Sequence, residues 1–397
     1  MRVPKRRFEL SSSSAPGPGY GGRSGMPSIE EQIVAIEDEI RRTPYNKATS
    51  GHIGRLRARI AFLRLERERR TRGKGGGIGY AVRKSGHATV ALVGYPSVGK
   101  STLLTHLTGA NSQSAAYDFT TVSIIPGMLD AAGASIQILD MPGLVPGASR
   151  GKGRGREVLS VVRSADLILF MIDKDHPDFR GLREELEDAG VRVNARRPRI
   201  IVTPSSRGGL TVTSTVRLTR LDEESVTAIA REFGLHNGSI VFREDATAEQ
   251  LIDVLAGNRV YLPAILTVNK SDLLEPADRG RIRELAKPFE PIFIAAETGQ
   301  NLDELVLAIV RSLAFIRVYL RPPGGEADRV EPLILRGGSR ISDLLARLPP
   351  DLARNFKSAL IWGRSARFPG QTVGRDHSLA DEDVVTVLVQ RGRAAAV

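Results

Sequence analysis

The chain has 397 residues, of which 41% are apolar and 26% charged, so it is long enough for about two to four globular domains and is not composed like a disordered protein. It contains no cysteine, which excludes disulfides, thiolate metal sites and a cysteine nucleophile and is typical of a cytoplasmic protein. The net charge of +12 favours a polyanionic partner, while the lack of long apolar runs predicts no transmembrane helix and no secretory signal.

The N-terminal region begins with a tail and continues with two helices. Residues 1–25 are rich in Ser, Gly, Pro and Arg and are predicted to be disordered. Ser28 and Glu31 form a capping-box pattern before a helix whose isoleucines recur at helical spacing. A second helix is predicted over 53–70, so residues 26–86 are predicted to form a helical hairpin domain.

The second predicted helix carries a high positive charge. The stretch from Ile53 to Lys84 contains nine arginines and two lysines against two glutamates. Two interpretations stay open: the arginines contact RNA phosphates, or they form a solvated face with their aliphatic stems along apolar neighbours. The candidates for RNA contact are Arg55, Arg57, Arg59 and Arg64 in this helix, and Arg150, Lys152, Arg154 and Arg156 in a later glycine-rich loop.

Five apolar runs, at 90–93, 136–139, 167–172, 264–268 and 292–295, lie near helical patterns or motifs. They predict a parallel α/β sheet in residues 87–190 and 245–315. The first run ends in a phosphate-binding loop of the form G-x-x-x-x-G-K-[ST]. Its N–H groups would surround phosphate oxygens at a helix N-terminus, its lysine would reach the β- and γ-phosphates, and its serine would bind Mg²⁺. The predicted nucleotide-binding residues of this loop are Gly94, Tyr95, Pro96, Ser97, Val98, Gly99, Lys100, Ser101 and Thr102.

Three later motifs, each after an apolar run, select a guanine nucleotide. Asp140 begins a D-x-x-G motif, whose carboxylate would hold Mg²⁺ through water and whose Gly143 N–H would sense a γ-phosphate. In the N-K-x-D motif, the carboxylate of Asp272 accepts both guanine N–H donors, whereas adenine presents an acceptor there. The third motif, Ala295-Ala296-Glu297, would support the base from the other side. The residues predicted to bind the base are Asn269, Lys270, Asp272, Ala296 and Glu297.

The segment between the first two motifs is predicted to be a switch. Thr121, favoured over Thr120, would complete Mg²⁺ coordination when a γ-phosphate is present. Leu144 stands where small GTPases often place a glutamine that orients the attacking water, so either another group positions water or intrinsic hydrolysis is slow. The predicted catalytic residues are Lys100, Thr121 and Gly143, and the predicted metal ligands are Ser101, Thr121 and Asp140.

Two smaller units complete the predicted organisation. Residues 191–244 are predicted to be an inserted α+β unit, with strands at 200–202, 210–212 and 215–218 and a helix at 223–233. Residues 316–393 are predicted to form a small α+β domain with a helix at 341–348 and with Trp362 in its core.

The motifs and the segments around them resemble the developmentally regulated GTP-binding protein family, within the Obg-like GTPases. The resemblance spans about residues 28–392 and includes GYPSVGKSTLL, YDFTT, DMPGLVPGASRGKGRGREVL, FREDAT and WGRSARFPGQTVGRDHSLADEDVV. It implies a P-loop GTPase domain with an N-terminal helical hairpin, a small insertion similar to ribosomal protein S5 domain 2, and a C-terminal β-grasp (TGS) domain. It also implies GTP binding and hydrolysis linked to ribosomes and RNA, and an apolar residue at Leu144.

Two functional classes stay open from the sequence. The first is a ribosome- or RNA-associated, translation-linked GTP switch, expected to be a cytoplasmic monomer with a regulatory protein partner. The second is a P-loop enzyme that acts on a separate small-molecule substrate; N-K-x-D and the switch threonines favour the first. A membrane-surface GTPase has only the charge in its favour. Potassium is a further candidate cofactor, although Ser97 stands where potassium-dependent relatives carry an asparagine.

Overall fold

The structure is a computed structural model of the 397-residue chain and describes residues 27–44, 46, 49–72, 85–109, 125–141 and 154–390. The predicted tail and several predicted site residues lie outside these ranges, namely Thr120, Thr121, Gly143, Leu144, Arg150 and Lys152. Within the described ranges, none of the helices has both the length and the apolar character that a membrane span requires.

Helices and strands alternate along most of the described chain. The helices are α1 (Ile29–Arg42), α2 (Ser50–Arg72), α3 (Lys100–Thr108), α4 (Arg154–Ser164), α5 (Arg180–Asp188), α6 (Glu223–Glu232), α7 (Ala248–Ala256), α8 (Pro276–Ala286), α9 (Leu302–Leu313), α10 (Ile341–Leu345) and α11 (Pro350–Arg354). The strands are β1 (Ala88–Gly94), β2 (Ile125–Ala131), β3 (Ala134–Asp140), β4 (Leu167–Ile172), β5 (Val191–Val193), β6 (Ile200–Pro204), β7 (Leu210–Ser214), β8 (Gly238–Phe242), β9 (Val260–Leu262), β10 (Ala264–Val268), β11 (Ile292–Phe293), β12 (Phe315–Leu320), β13 (Leu333–Arg336), β14 (Phe356–Trp362), β15 (Gln371–Val373) and β16 (Asp383–Val389).

The largest sheet has six strands in the order β11-β10-β4-β1-β3-β2. The five apolar runs predicted from the sequence form its parallel strands. Every residue of β1 and β4 is buried, as expected for a parallel sheet covered on both faces. The sheet is not wholly parallel, because β2 adds an antiparallel edge through a two-residue hairpin at Ala132 and Gly133. Both hairpin residues have positive φ, which a type I′ turn requires.

Strand β4 lies between two buried aspartates. At its start, Asp166 accepts a hydrogen bond from the Thr89 backbone N–H at 2.9 Å and forms an ion pair with Arg336 of β13. At its end, Asp173 forms an ion pair with Lys270, 2.6 Å away. The same strand therefore carries a contact to the C-terminal sheet at one end and a contact to the N-K-x-D motif at the other.

The predicted N-terminal helical hairpin is confirmed. The capping box is complete, since the Ser28 hydroxyl accepts from the Glu31 N–H at 3.1 Å and the Glu31 carboxylate accepts from the Ser28 N–H at 2.8 Å. Helices α1 and α2 pack together through Ile33, Ile60 and Leu63. These apolar residues recur at helical spacing, and this periodicity allowed both helices to be predicted.

A second side of α2 packs against α6 and α7, which the sequence did not predict. Ala58 and Ala61 are buried in one cluster with the apolar faces of those helices. Gly54 marks the close approach: a Cβ there would lie 3.5 Å from both Ala248 Cβ and Ile229 Cδ1. Helix α2 is therefore covered on two sides and presents less surface to solvent than a free hairpin would.

The inserted unit is a three-stranded sheet in the order β6-β8-β7. The prediction of a strand at 215–218 was wrong. After β7 the chain turns away toward α6, and the Thr219 N–H and hydroxyl donate to Asp245. The central strand is β8, which contributes the fully buried Ile240 and Phe242 and pairs with β6 and β7 on either side.

Two further predictions differ from the structure in extent. The helix predicted at 341–348 ends at Leu345 as α10. Arg154 and Arg156, predicted in a glycine-rich loop, belong to the first turn of α4.

The C-terminal sheet has five strands in the order β13-β12-β16-β14-β15. Its core face carries Val318, Ile361 and Val385 and is covered by residues of α10. The prediction that Trp362 lies in this core was wrong. Successive residues of a strand point to opposite faces, and the adjacent Ile361 is the fully buried core residue, so Trp362 lies on the other face.

Candidate nucleotide site

The phosphate loop connects the end of β1 to the start of α3. Gly99 has φ of 97°, and a Cβ at this position would collide with the side-chain nitrogen of Asn269. A Cβ at Gly94 would collide with the carbonyl oxygen of Met171 in β4. Both glycines are therefore required for the loop to lie this close to its neighbours. The loop places the first N–H groups of α3, which lack partners within the helix, where they can bind an anion.

Lys100, the first residue of α3, extends back over the phosphate loop. Its Nζ donates to the carbonyl oxygens of Gly94 at 3.2 Å and Tyr95 at 2.9 Å. Burial lowers the pKa of Lys100, and the nearby carboxylate of Asp140 opposes that shift. Phosphate oxygens would favour the charged ammonium further. The position of Lys100 therefore matches its predicted role as a phosphate-binding cation.

Ser101 and Asp140 come together as the sequence predicted for metal ligands. The Ser101 hydroxyl donates to Asp140 Oδ2 at 2.9 Å. Asp140 is buried, and its Oδ1 has no hydrogen-bond partner among the described residues. A buried oxygen without a partner is costly unless a ligand satisfies it. Hydroxyl and carboxylate oxygens are also the donors that Mg²⁺ prefers, so this pair fits that ion.

Asn269 connects three loops of the site. Its Nδ2 donates to the carbonyl oxygen of Val98 in the phosphate loop at 2.8 Å, and its Oδ1 accepts from the Ala296 N–H at 2.9 Å. The side chain, predicted to contact the base, is thus buried and already bonded to protein on both its polar atoms. Asp272, by contrast, is exposed in a short 3-10 helix, so its carboxylate can accept the guanine donors.

Lys270 is held by an acid that the sequence analysis missed. Its Nζ lies 2.6 Å from Asp173 Oδ2 and 3.3 Å from the carbonyl oxygen of Ser97. Burial alone would raise the pKa of Asp173, but hydrogen bonds from Lys270 and His176 outweigh it and lower that pKa. The hydrogen bond to Asp173 raises the pKa of Lys270 in turn. Asp173 directly follows an apolar strand, and that position could have identified it.

The segment after Asp173 closes over one side of the phosphate loop. The rings of Tyr95 and His176 are stacked, with centroids 5.3 Å apart and an interplanar angle of 25°. The Tyr95 hydroxyl donates to the carbonyl oxygen of Asp178 at 3.1 Å. Other predicted binding residues in the described ranges, Pro96, Ser97, Thr102 and Glu297, are exposed at the site. Thr121 and Gly143 lie outside the described residues.

Family models match three consecutive parts of the chain. Residues 89–204 match the family described as 50S ribosome-binding GTPase, residues 207–315 match the C-terminal region of that domain, and residues 316–389 match the TGS domain. These matches agree with the P-loop site and the separate C-terminal sheet seen in the structure.

Relatives match nearly the whole chain. An uncharacterized GTP-binding protein of Methanocaldococcus jannaschii is 50% identical over 91% of this chain and 93% of its own length. Developmentally-regulated G-protein 2 of Arabidopsis thaliana is 42% identical over 92% of each chain. Developmentally-regulated GTP-binding protein 2 of Bos taurus is 40% identical over 91% of this chain and 99% of its own. Identity at this level and coverage, together with the P-loop, D-x-x-G and N-K-x-D residues, shows that the chain belongs to the developmentally regulated GTP-binding protein family and is a GTPase.

Proposed function

We propose that this GTPase is a nucleotide-dependent switch that associates with ribosomal RNA and acts in translation in the cytoplasm. The observation that carries the proposal is the net charge of +12 on a chain whose residues 89–204 match a ribosome-binding GTPase family. A basic protein binds phosphate-rich RNA through charge, and a GTPase can couple that binding to its nucleotide state.

Different residues of the site would contact different parts of the nucleotide. Lys100 and the N-terminus of α3 bind the phosphates, while Asp272 accepts from the guanine base. Asn269 and Asp173 hold the loops that carry these groups. Mg²⁺, held by Ser101 and Asp140 with Thr121 as a further ligand, would neutralise phosphate charge.

Slow intrinsic hydrolysis is part of the proposal. A leucine at position 144 cannot orient the attacking water, so the unassisted rate should lie below about 10⁻² s⁻¹. Ser97 contributes its carbonyl oxygen to Lys270, and its side chain is too short to repeat the contacts of an asparagine amide. We therefore expect little difference in hydrolysis between potassium and sodium salts, and comparing GTP turnover in the two salts measures it.

Sedimentation with ribosomes tests the proposed switch. The wild-type chain should sediment with ribosomes more strongly with a non-hydrolysable GTP analogue than with GDP. Asp272→Asn supplies the matched control, because an amide donates where the carboxylate accepted and should transfer the preference to xanthosine nucleotides. That variant should sediment with the xanthosine analogue and not with the guanosine analogue. Equal sedimentation of the wild type in both nucleotide states, or none, would contradict the proposal.

A further inference from the structure

The outer face of the C-terminal sheet carries aromatic side chains in register. The pairing of β12, β16 and β14 places Tyr319, Val384 and Trp362 side by side across three strands. These residues alternate with the buried core residues of the same strands, so they share the opposite face. Tyr319 and Trp362 are partly exposed, and their strands are two strand spacings apart, about 9.5 Å in a regular sheet. The face thus presents two planar rings separated by an aliphatic side chain.

An arginine lies over the tryptophan of this face. The guanidinium carbon of Arg321 is 4.8 Å from the Trp362 ring centroid, a cation–π distance. Arg321 is positioned by its own Nε, which donates to the carbonyl oxygen of Gly325 at 2.7 Å. Among the described residues, Arg321 therefore contacts a ring and a carbonyl oxygen and forms no ion pair with a carboxylate.

The loop that follows Trp362 extends this surface. Phe368 is 59% exposed, and Arg364 and Arg367 beside it are exposed as well. From Phe356 to Arg375 the sequence contains four basic residues and no acidic residue. Gly370 packs on the Trp362 ring, since a Cβ there would lie 3.5 Å from two of its atoms. The loop is therefore held beside the outer face, and its charge and its phenylalanine are added to that surface.

We propose that this outer face, formed by Tyr319, Arg321, Trp362, Arg364, Arg367 and Phe368, binds single-stranded RNA. Unpaired bases stack on the exposed parts of the Trp362 and Phe368 rings, and the arginines bind the adjacent phosphates. The inference rests on the proposed RNA association and locates the surface responsible for it. Flat rings interleaved with exposed arginines suit single strands, because paired bases in a duplex cannot stack on protein rings. An acidic protein segment would use the arginines and leave the rings without a role.

Trp362 is the only tryptophan of the chain, so its fluorescence reports directly on this face. The full chain is titrated with a short single-stranded oligoribonucleotide of no self-complementarity, and separately with the duplex that it forms with its complement. The single strand should quench the tryptophan in a saturable way, and the duplex should bind more weakly. Phe368→Ala removes an exposed ring that the fold does not need and should weaken binding about 5-fold to 150-fold. Arg347→Ala, at an exposed position in the turn that follows α10, is the matched control and should bind as the wild type does.

Three results would overturn the inference. The first is unchanged affinity for the single strand in both Phe368→Ala and the double variant Arg364→Ala/Arg367→Ala. The second is equal affinity for single strand and duplex. The third is equal quenching by poly-glutamate of matched charge, which would assign the face to an acidic protein partner.

The same variants separate this inference from the proposed function. One outcome is that the wild type sediments with ribosomes while the Phe368→Ala variant and the Arg364→Ala/Arg367→Ala double variant sediment equally well. In that case the inference fails and the proposed ribosome switch stands. If the wild type does not sediment in either nucleotide state, the proposed function fails whatever the oligoribonucleotide shows.

Discussion

Two arginine-rich regions of the chain use the same side chain in opposite ways. In α2, Arg64 bonds Asp188 at 2.7 Å and Glu37 at 3.1 Å, and Arg57 pairs with Glu249. The outer face of the C-terminal sheet instead holds Arg321 against a ring and leaves Arg364 exposed. The three acids that pair with Arg57 and Arg64 come from α1, α5 and α7, so the arginines of α2 link helices that are distant in sequence.

The difference shows that local charge density is a poor guide to a binding surface. Helix α2 has the higher density of arginine, yet its charge is largely neutralised once the chain folds. Arg57 and Arg64 are each paired with an acid from another element, so their interpretation as RNA contacts is weakened and stays a prediction. Arg59 also lies 3.8 Å from Glu232, whereas Arg55 hydrogen-bonds only the neighbouring His52 among its recorded contacts.

The largest effect should come from separating α2 from α6 and α7. Gly54→Leu places a branched side chain where only a Cβ fits, and overpacking of this kind costs about 1–3 kcal/mol or more. Gly54→Ala is the matched control and should be neutral or stabilising, since 3.5 Å is an ordinary contact. Hydrogen exchange of the α2 amides measures both variants. Equal protection in the two variants would show that α2 is not packed as described.

Breaking the shared ion pair of Arg64 should destabilise the same region. Arg64→Ala removes the cation that Glu37 and Asp188 share, at a site where Arg64 itself is only 25% exposed. The expected cost is about 1–3 kcal/mol. Arg55→Ala, which removes an exposed arginine of the same helix, should change the stability by less than about 0.5 kcal/mol. Chemical denaturation of the full chain compares the two variants. Equal midpoints would show that Arg64 contributes no more to stability than a solvent-exposed charge.

Lys270 in the nucleotide site is paired with an acid, as Arg57 and Arg64 are in α2, so removing that acid should also have a measurable effect. Asp173→Asn keeps the shape but removes the charge that holds Lys270, so affinity for GDP and GTP should fall by about tenfold alike. Fluorescent GDP and GTP analogues measure this, and a loss confined to GTP would contradict a role at the base.

The same pair predicts a dependence on pH. The folded pKa of Asp173 is lowered, so its stabilisation is present above the usual carboxyl value of about 3.9 and is lost as the pH falls through the lowered value. The Asn variant should lack this part of the acid transition.

The smallest expected effect is on the salt dependence of RNA binding, which should differ between the two arginine-rich regions. Each phosphate contact to single-stranded RNA contributes about −0.7 to the slope of log affinity against log salt. Arg364→Ala/Arg367→Ala should therefore flatten the slope by about 1.4, whereas Arg57→Ala/Arg59→Ala should leave it unchanged. Filter binding across a salt series measures both. A flatter slope in the α2 variant alone would restore the interpretation of that helix as the RNA surface.

The sequence predicted those parts of the molecule that short segments determine. The strand, loop and helix around the phosphate-loop motif, the turn at N-K-x-D and the five parallel strands each depend on a few consecutive residues, and the structure has them where the sequence predicted them. The partners of Arg64 and the bonds of Asn269 join residues that are far apart in the chain, and no local pattern indicates them. Trp362 was misplaced because its strand has apolar residues on both faces: Leu360 and Trp362 alternate with Ala359 and Ile361. Period-two patterning cannot decide between two apolar faces.

The two aspartates at the ends of β4 limit how a signal can cross this protein. Asp166 and Asp173 are separated by about 23 Å at the usual rise of a strand, and every residue between them is buried. A hydrogen-bonded strand in the middle of a sheet does not stretch, so it cannot pass a change of length from the nucleotide to the C-terminal sheet. What it can pass is orientation. A nucleotide-dependent change at the RNA surface would then require the C-terminal sheet to pivot as a rigid body, and the Arg336–Asp166 pair lies at the joint where that rotation would be allowed or resisted.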